Sequence, residues 1–258
     1  MTQGEPRTLP ELQATHKPAP RSRLVKPRGE ADEHSAVRNY VRDLILGFND
    51  GLVSVYAIVA GVAGAGLATG QIAIAGIAAA TAGALSMGLG EYISTKSQTE
   101  YYAAEAQRER EHIRKYPDLE HEELREMLAQ KDYPARLIEP LAAHIMSDED
   151  RFVDFMMREE FGVGEESERS PFVAMGLVML AFVVGAILPL VPFLLGIGGL
   201  PGLAGASGLS IAGLFVAGAL KAKTSGLAAW RSGLEMTLLG VLAAAITYGV
   251  GTLVGVAI

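Results

Sequence analysis

Apolar positions along this chain gather into five runs, 41–67, 72–94, 172–194, 209–220 and 234–256, rather than alternating with polar ones. Most of them approach the ~20 residues that a helix needs to cross the hydrocarbon of a bilayer. The fourth run is the shortest, and Gly and Pro crowd the stretch before it, "GIGGLPGLAGASG", so Gly198 is an alternative start. Between the second and third runs the pattern changes. The second run continues with helical character through "SQTEYYAAEAQREREHIRKY" until Pro117 stops it. "DLEHEELREMLAQKDY" predicts a second helix, and "PARLIEPLAAHIMSDEDRFVDFMMREEFG" a third, amphipathic one. The expected fold is an all-α membrane protein with five transmembrane helices and a three-helix insert between spans 2 and 3. It divides into a disordered tail (1–37), spans 1 and 2 (38–97), the insert (98–169) and spans 3 to 5 (170–258). Small residues recur every four positions at Gly76, Ala80, Ala84 and Gly88. This stripe predicts close helix packing in lipid, with a dimer contact as one use for it.

Charge sharpens the division. Residues 96–170 hold 20 of the 29 acidic and 11 of the 22 basic residues, whereas the chain after 170 has one acid, Glu235, and three bases, Lys221, Lys223 and Arg231. The chain up to and including Arg42 carries eight basic residues, while the connections "GAGLATGQ" and "GIGGLPGLAGASG" carry none. By the positive-inside rule the tail, the insert and the 221–231 connection face the cytoplasm, and the C-terminus lies outside. The tail lacks the apolar core of a secretory signal. No cysteine is present, which excludes disulfides, thiolate metal sites and cysteine nucleophiles. No nucleotide-binding glycine motif supports ATP-driven pumping, and no nucleic-acid partner is expected. An excess of Arg over Lys with abundant Ala and Gly favours a bacterial cytoplasmic membrane, with a vacuolar membrane as the alternative.

The candidate chemistry begins inside the first span. In "LILGFNDGLVSVYAIVAG", Asp50 shares a helix face with Asp43 and Ser54. It lies about 15 Å along a span that starts near residue 40. An ionisable side chain at that depth marks an ion pathway by default. Met87 and Glu91 are four apart in the second span and share a face, so a bundle interior could bring Asp50, Met87 and Glu91 together. Carboxylates suit hard divalent cations, and a thioether adds preference for softer ones such as ferrous iron. The alternative is that Asp50 caps a helix break at "NDG", with Asp43 and Glu91 at the membrane interface. In the insert, Glu105, Glu109 and His112 recur at helical spacing, as do Glu120 and Glu123, and Met156 and Met157 precede Glu160. Facing helices with such ligands can hold a divalent metal. A solvated surface laced with ion pairs, with the Met pair as a hydrophobic seam, is the competing reading.

Three stretches in order, "DLILGFNDGLVSVYAIVAGVAGAG", "AGALSMGLGEYISTKSQTEYY" and "FVDFMMREEFG", resemble the vacuolar iron transporter family of ferrous-iron and manganese carriers. The resemblance covers residue 38 to the C-terminus. It implies a homodimer that exports Fe²⁺ or Mn²⁺ from the cytosol in exchange for protons, with no prosthetic group and with membrane lipid as its other partner. On the matching motifs, the implied translocation residues are Asp50 and Met87, with Asp43 matching a further acid. The implied insert ligands are Glu109, His112, Glu120, Glu123, Met156, Met157 and Glu160. His112 stands where the family pattern leads one to expect Glu, which leaves Glu111 or Glu105 as substitutes. Two other functions compete. A di-iron oxidase or storage site would need two Glu-x-x-His motifs, and only Glu109–His112 fits, with Asp118–His121 a near match. A membrane-anchored metal sensor would bind metal without moving it and leaves Asp50 without a role.

Overall fold

The computed structural model describes residues 28–161, 169–226 and 228–257, and every regular element within them is a helix. In chain order these are α1 (Arg28–Gly64), α2 (Thr69–Lys115), α3 (Pro117–Gln130), α4 (Ala135–Met146), α5 (Glu149–Glu160), α6 (Pro171–Leu194), α7 (Gly199–Ser225) and α8 (Ala229–Ala257). Five of them, α1 from Tyr40 onward, α2, α6, α7 and α8, are long and apolar enough to cross a membrane. Large apolar side chains stay exposed along them, including Ile74, Leu85 and Ile93 of α2 and Leu238, Leu242 and Leu253 of α8. So much exposed apolar surface suits lipid rather than water.

The fourth span begins at Gly199, beside the alternative start at Gly198 rather than at 209, because the Gly-rich stretch is itself helical. Pro201 falls in its first turn, where a missing N–H removes no helical bond. Gly205 lies against the Pro192 ring of α6. The third insert helix is two: the chain breaks at Ser147 and Asp148, and the Asp148 carboxylate accepts the Arg151 N–H at 2.8 Å to cap α5. The insert is therefore the end of α2 plus three short helices. α1 starts at Arg28, within the stretch assigned to the tail, and residues 1–27 of that tail lie outside the described residues.

The spans pack backbone to backbone through glycine. A Cβ on Gly51 of α1 would sit 2.0 Å from the Phe182 carbonyl oxygen of α6, and one on Gly251 of α8 would sit 1.8 Å from the Gly61 carbonyl oxygen. In lipid, where apolar burial gives no advantage, such close approach is what holds helices together. Thr247 adds a polar link between α8 and α1 by donating to the Ala57 carbonyl at 2.7 Å. The small-residue stripe of α2 serves the same purpose within the chain: Gly76 meets Leu190 and Val59, and Gly88 meets Met179 and Met175. Within the chain it is thus a packing face toward α6 and α1. The insert has its own core of Leu124, Leu128, Ala142, Ile145, Phe152 and Met156. Arg114 near the end of α2 grips Glu149 with two hydrogen bonds, 2.7 and 3.2 Å, which fixes the start of α5 against α2.

Candidate functional site

α1 runs as unbroken α-helix through Asn49, Asp50 and Gly51, so Asp50 does not cap a break. It is half-buried within the span, and Ser54 one turn later donates to its Oδ1 at 3.4 Å. Met87 is half-buried and packs against the core shared by α1, α2, α6 and α7.

Asp43 and Glu91 are engaged by a residue that no spacing pattern singled out. Arg169, two residues before α6, places its guanidinium on Asp43 Oδ2 and within 3.7 Å of Glu91 Oε1. Asp43 and Arg169 are both buried, while Arg42, 3.8 Å from Asp43, is largely exposed. The buried Thr95 donates to Glu91 at 3.1 Å, and the Arg169 guanidinium also lies over the Tyr40 ring, 5.7 Å from its centroid. The only signal in the sequence was a single base closing the acidic run "EESERS" just ahead of an apolar segment.

α2 holds 47 residues, roughly 70 Å at ~1.5 Å each, more than twice the ~30 Å of a bilayer core. Its C-terminal half therefore projects beyond the apolar span, carrying Glu105, Glu109 and His112. There it meets Glu120 and Glu123 of α3 and Glu160 at the end of α5. Glu109 and Glu120 are buried, and Glu109 Oε1 has no hydrogen-bond partner. Burial, then the negative charges of Glu120 and Glu160, push the Glu109 carboxyl up to about 7. Glu120 is raised by burial and by Glu123, and Glu160 by burial and by Glu123, Glu120 and Glu105. His112 is exposed, with Nδ1 3.7 Å from Glu120 Oε1. Glu105 is paired with Arg108 at 2.6 Å. Met157 is buried and Met156 lies in the insert core, the position a hydrophobic seam requires. Among the described residues, no three acid or imidazole groups converge on one metal-sized point. The acids are nevertheless near enough to raise one another's proton affinity. The buried, unpartnered Glu109 oxygen is the group for which a cation would be a partner.

The sequence profile of the VIT family matches residues 41–252. Vacuolar iron transporter 2 of Oryza sativa subsp. japonica is 32% identical over 218 residues, covering 84% of this chain and 89% of its own length. Vacuolar iron transporter 1 of Arabidopsis thaliana is 32% identical over 217 residues (84% and 87%), and the vacuolar iron transporter of Toxoplasma gondii is 34% identical over 224 residues (83% and 74%). These relatives lend no support to the bacterial membrane favoured by composition. The matched profile takes in the five spans, all but Tyr40 and the end of α8, together with the insert, and on that ground this chain belongs to the VIT family, that of the vacuolar iron transporters.

Proposed function

We propose that the protein is a secondary transporter that carries Fe²⁺ and/or Mn²⁺ out of the cytosol in exchange for protons. The observation that carries this reading is the continuity of α2: one helix bears Met87 and Glu91 in its apolar part and Glu105, Glu109 and His112 at its far end. Cargo collected at the insert thus lies on the same element as the membrane path. In this reading the tail and the insert face the cytoplasm and the C-terminus faces outside. Glu105, Glu109, His112, Glu120, Glu123 and Glu160 take up the ion, with Met156 and Met157 beside them, and two copies of the chain form the path. Asp50 and Met87 then pass the ion on, and protons replace it on the outer side, because a protonated carboxyl cannot hold a metal. The relatives' names support iron as cargo, and the carboxylate and thioether set suits manganese as well.

The test is flux into proteoliposomes that hold a metal-quenched dye and a pH dye, for wild type and Asp50→Asn. Metal entry with opposing proton movement, both lost in Asp50→Asn, is the expected result. Metal binding by the insert with no flux in either protein would replace the transporter with a sensor.

A further inference from the structure

Arg169 has no part in that scheme, yet it is a buried cation seated on two of the acids at the end of the spans nearer the insert. Its guanidinium contacts Asp43 of α1 and lies 3.7 Å from Glu91 of α2, so it joins both helices to the start of α6. Two carboxylates face two cations here, Arg169 and Arg42, but Arg42 is largely exposed and only Arg169 is buried with the pair. A divalent cation in place of the guanidinium would bring the same carboxylates to neutrality. Both cations are drawn to the same two carboxylates and repel one another at that range, so the guanidinium and the metal compete for the pair. Arginine cannot vacate the site by losing its proton; its side chain has to move. The hold is also incomplete. Arg169 is at least nine-tenths buried, yet its Nε has no hydrogen-bond partner, so one of its donors is unused. Arg169 precedes α6 and is not itself helical, whereas Glu91 is held in place by Thr95.

We propose that Arg169 is a tethered counter-cation that occupies the Asp43–Glu91 pair between transport events, and that divalent cargo must displace it, so that Arg169 sets the affinity of the path's inner end. This rests on the transport reading above. Removing the positive charge leaves the pair open, so metal binds more tightly there and leaves more slowly. A purely structural brace between α1, α2 and α6 would change the yield of folded protein but not the affinity for cargo.

The absence of cysteine from the chain makes a charge-rescue experiment direct. Mn²⁺ flux is measured in proteoliposomes for wild type, Arg169→Lys and Arg169→Cys. The last is assayed unmodified, after a methanethiosulfonate reagent that adds an ammonium group, and after a neutral reagent of similar size. Unmodified Arg169→Cys is expected to lower KM roughly fivefold or more and to reduce the maximal rate. The ammonium reagent and Arg169→Lys should both return KM to within about twofold of wild type, and the neutral reagent should not. An unchanged KM in Arg169→Cys, or equal effects of charged and neutral reagents, overturns the proposal. Wild-type flux is read first, so its absence tells against the transport reading alone. Arg169 is then judged from Mn²⁺ bound at equilibrium in detergent, followed by the electron paramagnetic resonance of the free ion. Tighter binding in Arg169→Cys, reversed by the ammonium reagent, supports displacement; superimposable isotherms exclude it. If Arg169→Cys does not fold, Arg169→Lys is compared with Arg169→Lys/Glu91→Gln, whose charges balance. The balanced pair should raise KM, and an equal KM overturns the proposal.

Discussion

Glu109 joins a stability effect to a binding effect through one proton. Its carboxyl is raised from 4.5 to about 7, so between those values the folded protein binds a proton that the unfolded chain has released. Stability from this group is therefore greatest at acid pH and is lost as pH rises through that window. A shift of this size corresponds to a difference on the order of 3 kcal/mol. Metal-free Glu109→Gln should be more stable than wild type at pH 8, with the advantage disappearing near pH 5; thermal unfolding in detergent across that range measures the difference. A divalent ion reverses the sign by taking the proton's place. Mn²⁺ affinity should fall as pH drops below about 7 and proton release on binding should shrink in Glu109→Gln, both read by calorimetry in two buffers of different ionisation heat.

Whole helices depend on residues whose importance lies in what they omit or cap. Gly51 and Gly251 touch carbonyl oxygens of neighbouring spans, so a side chain there has nowhere to go. Gly51→Leu should cost more than the 1–3 kcal/mol typical of overpacking. Gly76→Ala should cost less, because its neighbour is the tip of the Leu190 side chain, which can turn aside. Size-exclusion profiles after graded heating would rank the two. Asp148→Ala removes the cap of α5 at a cost of about 1 kcal/mol. It should speed amide hydrogen exchange in the first turn of α5 while leaving α3 unchanged.

Across the whole molecule, hydropathy made the five spans legible because a bilayer permits few alternatives to a long apolar helix. It left the start of the fourth span open between Gly198 and 209, because Gly and Pro read as loop in water but serve helix contact in lipid. The break at Ser147 and Asp148 is masked because apolar periodicity resumes on both sides of it, although Asp148 is a residue type that favours a helix N-cap. Spacing along one helix could suggest Glu105, Glu109 and His112, and the same reasoning paired Met87 with Glu91. It could not find Arg169, which meets Asp43 across 126 positions of chain. Contacts of that separation leave no period to read. The link between insert and spans is open to test at this scale. A proline at Ala103 would break α2 between its two ends. Metal binding by the insert should survive in Ala103→Pro while flux at limiting Mn²⁺ falls at least severalfold, as equilibrium binding and proteoliposome uptake would reveal.

The uninterrupted course of α2 also has a mechanical side. From Thr95 to Lys115 it extends about 30 Å past the span at ~1.5 Å per residue. It is anchored at the far end by Arg114 on Glu149 and packed along the membrane part on α6. A stiff rod held in this way is a lever. A tilt of roughly 10° in the bilayer would swing its tip by about 5 Å. Small adjustments among the spans thus become large ones at the tip, and whatever moves Glu109 at the tip pulls back on the membrane through the same arm.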